Sequence, residues 1–270
     1  MLQITRADRL SMPLCVGALR NGRLAGMVTS ITLHQSLLAI AILLAAYTFR
    51  GIAGFGSGLI AIPLLTLSLP LTVVVPCINV LDVSASLVHG WRHRKHTQWR
   101  ELMPLLPFTA LGVAIALYLL KSLHPAILVH ALGVFILFFA IYNLIEPQLK
   151  QHCSRNWASL AGSFGGMIGT IFGTGGPLYV IYFQLRGLSK SVFRSTIATL
   201  FLLDGGLRFT GYVVSGFYSR EMVWWIVVSL PIMALGLYFG GRIHTNISQR
   251  QFQRAIAVLL VISGIALLTK

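Results

Sequence analysis

Gly54-Phe55-Gly56-Ser57-Gly58-Leu59 and Gly173-Thr174-Gly175-Gly176-Pro177-Leu178 interrupt two apolar stretches that otherwise run unbroken, and they lie 119 residues apart. Glycine and proline at this density stop a helix. Inside a bilayer no water is at hand for the backbone groups so released. A break survives there only where protein buries it or where it lines a wet cavity. Paired breaks at corresponding places in two halves of a membrane chain point to the solute site of a transporter.

The flanking segments make the bilayer the solvent of this chain. Residues 24–49, 51–81, 122–145, 156–185, 222–241 and 255–269 contain no Asp, Glu, Lys or Arg. Runs of roughly 17–25 apolar residues match the hydrocarbon thickness of a membrane. Hydrophobic residues make up 56% of the chain and charged ones 10%, and the mean hydropathy is +0.80. A soluble domain would carry about 25% charged residues. Apolar spans read as 31–49, 54–69, 72–90, 102–120, 125–145, 157–172, 176–186, 195–216, 222–241 and 252–269. The expected fold is an all-α, polytopic transmembrane bundle in the membrane of a cell.

The net charge of +15 does not make a nucleic-acid surface, because the cations gather in short segments between apolar runs. Cys15, Cys77 and Cys153 are scattered without a C-x-x-C pair, so neither a disulfide framework nor a metal site is expected. No H-E-x-x-H, G-x-S-x-G or P-loop pattern occurs. Catalytic residues and cofactors are not expected, and the chain reads as a non-enzyme.

Residues 1–26 stand apart. Arg6, Arg9, Arg20 and Arg23 surround a longest apolar run of eight residues, Met12–Leu19. The segment reads as a disordered tail, or as sequence ahead of a start at Met27; a signal peptide is the alternative.

Basic residues set the expected orientation. Segments 91–100, 146–156, 186–194 and 242–254 carry twelve Lys/Arg, against Lys121 and Arg220 on the opposite side, which places the first group in the cytoplasm. Residues 157–186 then begin and end on one side, as a helical hairpin tipped at Gly173–Pro177. The matching hairpin 31–69, tipped near Arg50–Gly54, would start and finish outside and bring Arg50 near the cytoplasmic face.

The halves also match beyond the breaks. Pro107-Phe108-Thr109-Ala110-Leu111-Gly112 aligns with Pro231-Ile232-Met233-Ala234-Leu235-Gly236, 124 residues later. Because the charge count starts the halves on opposite sides, the expected organisation is two inverted repeats, 27–150 and 151–270. Each begins with a Gly-broken helical hairpin, and the solute site lies at their interface near the midplane.

At these motifs the chain resembles the sulfite exporter TauE/SafE family of bacterial membrane proteins. The family carries a G-x-G-G-G-like segment early in its first half and a G-x-G-G-P segment opening its second. Here they stand as Gly54-Phe-Gly-Ser-Gly58, with Ser57 departing from the triple-glycine form, and Gly173-Thr-Gly-Gly-Pro177. Gly187-Leu-Ser-Lys-Ser-Val-Phe-Arg194 through Leu203-Asp204 also looks like one branch of the family, and the likeness covers about residues 30–270. The resemblance implies transport of small anions, often sulfur oxyanions or organosulfonates, across the bacterial cytoplasmic membrane.

A helix restarting after a break presents free N–H groups and a partial positive charge, and glycine lets an anion approach them. Gly54, Gly56, Ser57, Gly58, Gly173, Thr174, Gly175 and Gly176 are therefore substrate-binding candidates. The bland reading is that the glycines only permit close helix packing. Asp82 and Asp204 are the two acidic residues inside expected spans, where a charge needs a partner or a wet cavity. Arg208 stands one helical turn after Asp204 and can pair with it. Asn79, Asp82, Ser86 and His89 share one helical face. Arg208 and Arg194 are candidate anion partners, and Asp82 and Asp204 candidate proton-coupling groups. The alternative is a structural Asp204–Arg208 pair with Asp82 near an interface. His130 reads chiefly as a packing residue, and Trp91, Trp99, Trp224 and Trp225 as interfacial anchors.

The functional reading is a transporter moving a small anion by alternating access. A passive anion channel and a non-transporting assembly subunit are the competing classes. Partners are the small anion, the lipid bilayer and, optionally, further copies of the chain.

Overall fold

The computed structural model describes residues 33–53, 56–90, 97–145, 154–242 and 249–269. The segment 1–26 and Gly54 lie outside the described residues. Among the described residues every regular element is helical: α1 (Leu33–Ala53), α2 (Ser57–Thr66), α3 (Leu71–Gly90), α4 (Trp99–Leu102), α5 (Leu105–Ser122), α6 (Pro125–Ile145), α7 (Trp157–Phe172), α8 (Gly176–Leu185), α9 (Lys190–Val214), α10 (Arg220–Arg242) and α11 (Gln249–Leu268). The apolar spans anticipate these helices closely. The largest shift is α9, which starts at Lys190 because the extended backbone of Ser189 opens the helix there, ahead of the apolar run.

Among the described residues, five segments are long and apolar enough to cross a bilayer: 35–52, 99–122, 125–142, 195–214 and 220–242. Their outward faces are apolar; Phe138, Val214 and Trp224 are each more than half exposed, as is Ile262 on α11. Such a continuous greasy exterior suits lipid, not water. Trp225, by contrast, turns inward against Met222 and Val73. His130 also faces outward, its Nδ1–H donating to the Ala126 carbonyl at 2.7 Å within its own helix.

The helices on either side of the two breaks are unequal. α2 and α8 have ten residues each, about 15 Å of rise, half the roughly 30 Å of hydrocarbon. They can reach the midplane but cannot cross. Both ends of the α7–α8 hairpin come back to one carboxylate. Arg155, just before α7, and Arg186, just after α8, bind Glu101 at 3.1 and 2.9 Å. The hairpin therefore begins and ends on the same side, as the charge bias requires.

Helix pairing crosses between the halves. α10 packs along α1 and α5 along α7, while α3 lies on α9 and α6 on α11. The P-x-x-A-L-G glycines make the first two contacts close. A Cβ on Gly236 would stand 3.0 Å from the Leu44 carbonyl oxygen, and one on Gly112 would collide with that of Ser163. Small residues of this kind are what let membrane helices approach.

Candidate functional site

Each break is held open by a left-handed glycine. Gly56 has φ 95° and precedes α2; Gly173 has φ 65° and closes α7. A side chain with a Cβ adopts that region only under strain, so these two positions stop their helices firmly. Pro177 is the second residue of α8, where its missing N–H leaves no bond unmade. The breaks then meet: a Cβ on Gly58 would lie 2.8 Å from the Gly173 carbonyl oxygen.

Between them lies a cavity of about 60 Å³. A single water needs at least roughly 10–15 Å³ of such space and takes about 30 Å³ in the liquid, so the cavity has room for about two waters or one small oxyanion. Gly56, Gly58 and Gly173–Gly176 form its backbone wall, and Arg50, Asn79, Asp82, Thr174 and Arg208 its polar one. A second cavity, about 80 Å³ between α1, α2, α3 and α10, has no charged group in its wall and offers an anion nothing.

Two buried ion pairs stand at the polar wall. Arg50 binds Asp82 at 2.6 Å, and its second terminal nitrogen donates to the Asp82 carbonyl and to Ser86 Oγ. Ser57 and Tyr47 also donate to the Asp82 carboxylate, at 2.6 and 2.9 Å. Across the cavity Arg208 binds Asp204 at 2.8 Å and donates to the Gly169 carbonyl at 2.8 Å. Tyr179 donates to Asp204 and shares a contact with Thr109. Thr174 Oγ1, Asn79 Oδ1 and Arg208 Nε have no hydrogen-bond partner among the described residues.

The candidate residues are thus largely brought together. Gly56, Gly58, Thr174, Gly173, Gly175, Gly176, Asp82 and Arg208 all line the cavity. Ser57 stands behind it, its hydroxyl committed to Asp82. Asp204 is held beside it through Arg208. Arg194 lies in α9 roughly 21 Å of helix rise before Arg208, and its side chain, like that of His89, lies outside the described residues. The Asp204–Arg208 pair forms as its one-turn spacing predicts.

Arg50 sits inside α1, three residues from its end, is 9% exposed, and folds across to meet Asp82. Sequence reasoning passed over Arg50 as a binding group, although it directly precedes the first break. It also passed over Glu101, which is 2% exposed and held by Arg155, Arg186 and Tyr182. Its signal was an acidic residue at the edge of the most basic segment.

A lipid-facing helical bundle, with half-length helices meeting at a charged internal cavity, has the architecture of a multi-pass membrane transporter. The family described as Sulfite exporter TauE/SafE matches residues 38–267, and the chain belongs to that family. It is 29% identical over 191 residues to the probable inner membrane transporter protein TsaS of Comamonas testosteroni, covering 70% of this chain and 80% of that protein. It is 23% identical over 240 residues to the probable sulfite/organosulfonate exporter TauE of Cupriavidus necator, covering 86% and 93%. No solved structure matches it.

Proposed function

We propose that the protein carries a small sulfur oxyanion or organosulfonate across the cytoplasmic membrane, binding it in the cavity between the two glycine breaks. The carrying observation is that Arg50 and Arg208 line one cavity whose wall also holds glycines of both breaks, Gly56, Gly58, Gly173, Gly175 and Gly176. The name of the Cupriavidus relative, which covers most of this chain, supports the substrate class.

Alternating access would come from two inverted repeats, 27–150 and 151–270, rocking about the site. The exchange of packing partners supports this reading: α5 lies on α7 as α10 lies on α1. So do the carboxylates. Asp82 and Asp204 each bind one arginine and accept from one tyrosine. With a 119-residue offset, Arg50 corresponds to Gly169, the residue whose carbonyl Arg208 binds. The guanidinium that meets the carboxylate comes from α1 for Asp82 and from α9 for Asp204.

Outward movement of an anion is driven by an inside-negative potential. Asp82 and Asp204 are the groups proposed to couple it to protons. The test is ³⁵S-sulfite counterflow in proteoliposomes of the purified chain. Saturable, counterflow-capable flux is expected; flux without saturation or counterflow would make the protein a channel, and no flux of any sulfur oxyanion would overturn the reading.

A further inference from the structure

Asn79 is a buried amide on α3, 3% exposed, in the wall of the cavity. Its Nδ2 donates to the Gly205 carbonyl at 3.2 Å, which fixes the orientation of the amide, since the flipped form would set oxygen against oxygen. Oδ1 is left as an acceptor without a donor among the described residues. The other unpartnered groups of the cavity wall are of the opposite kind: Arg208 Nε–H donates, and the Thr174 hydroxyl can. Asp204 Oδ2, an acceptor behind the wall, faces the Arg208 guanidinium at 2.8 Å. A solute that completes this cavity must accept from the arginine and donate to the amide.

Charge points the same way. Arg50 and Arg208 are already matched by Asp82 and Asp204. A bound monoanion leaves the cavity with one uncompensated negative charge, and a dianion with two, at steeply rising electrostatic cost. Sulfite as a dianion has acceptors only. An alkanesulfonate has the lower charge but no O–H. Hydrogensulfite, in its hydroxyl form, has both the single charge and one donor.

We infer that the site selects the monoprotonated form of its oxyanion, with the solute hydroxyl donating to Asn79 Oδ1. This rests on the anion-site reading above and adds the protonation state. An acceptor left bare in a buried site penalises a solute that cannot donate to it by about tenfold or more.

Ionisable groups of the protein also surround this position. Tyr47 and Arg50 come from α1, Tyr179 from α8, Asp204, Arg208 and Tyr212 from α9, and Tyr218 from the turn after α9; Asp82 and Cys77 share α3 with Asn79. α2 and α7 bring none, and those of α6 and α10, such as His130 and Glu221, are outside the cavity wall. A solute whose own charge is fixed separates their titration from that of the ligand, and methanesulfonate is such a solute.

The experiment measures anaerobic binding of sodium sulfite and of methanesulfonate to the purified full chain between pH 6 and pH 8. Any protein-side titration acts on both and cancels in the affinity ratio. At pH 6 sulfite should bind about tenfold or more tighter than methanesulfonate. Above the second ionisation of sulfurous acid the ratio, per total sulfite, should fall about tenfold per pH unit. Asn79→Leu should lower the ratio at pH 6 at least about fivefold, and Asn79→Ala serves the same end if leucine misfolds. A ratio that is flat or rises with pH overturns the assignment while leaving the anion site standing. Failure of both solutes to bind at any pH overturns the anion site itself, and this inference with it.

Discussion

Gly58 and Gly173 abut at the centre of the protein: a Cβ on the first would stand 2.8 Å from the carbonyl oxygen of the second. The two breaks are therefore in direct backbone contact. Gly58→Ala should force the hairpins apart, destabilising the fold by about 1–3 kcal/mol and lowering sulfite flux at least about tenfold. Thermal unfolding of the detergent-solubilised protein, beside counterflow, checks both. A variant with wild-type flux would show that the breaks need not touch for transport.

The two arginines should differ in how strongly the fold depends on them. Without Arg50, Asp82 keeps donors from Ser57 at 2.6 Å and Tyr47 at 2.9 Å. Without Arg208, Asp204 keeps, among the described residues, only Tyr179 at 3.4 Å, and its side chain is 1% exposed against 23% for Asp82. Arg208→Ala should lose about 3–5 kcal/mol of stability, and Arg50→Ala less. Both should abolish anion binding. The double variant Asp204→Asn/Arg208→Gln should recover stability but not transport, a split that a purely structural ion pair would not give.

We expect any coupling to protons to rest on one carboxylate. Asp82→Asn and Asp204→Asn are expected to retain counterflow, which needs no net proton movement. The coupling carboxylate is the one whose replacement abolishes acceleration of sulfite flux by an imposed pH gradient. Gradient-stimulated flux in both variants would remove the aspartates from coupling.

At the end that the charge bias assigns to the cytoplasm, Glu101 ties the hairpin shut. Arg186 makes two bonds to it, at 2.9 and 3.0 Å, and its side chain is 23% exposed, whereas that of Arg155 is 45% exposed. Glu101→Gln should destabilise the protein by about 3 kcal/mol, leaving two arginines facing each other. Arg186→Ala should lose more than Arg155→Ala, because the more exposed pair is screened by solvent. Equal losses would mean that the carboxylate is less buried than its geometry states.

Much of the architecture was readable along the chain, because membrane helices are written locally. Apolar runs, glycine breaks and cation-rich segments each carry their meaning within about 20 residues. Asp204 and Arg208 belong to the same local grammar, being one turn apart on α9. Arg50 and Asp82 do not: their partners are 32 residues distant, on helices whose approach no spacing reveals. Glu101 escaped for the same reason, since the arginines that bind it lie 54 and 85 residues away.

The order of residues alone determined that this chain is an all-helical membrane protein broken twice by glycine, because continuous apolar runs of spanning length satisfy their backbone in hydrocarbon as helices. Tertiary structure decided that the breaks touch, that α1 sends Arg50 across to Asp82, and that Asn79 faces the cavity with a bare acceptor. Those facts depend on side chains from distant helices meeting within about 3 Å, a distance set by packing and not by position in the chain.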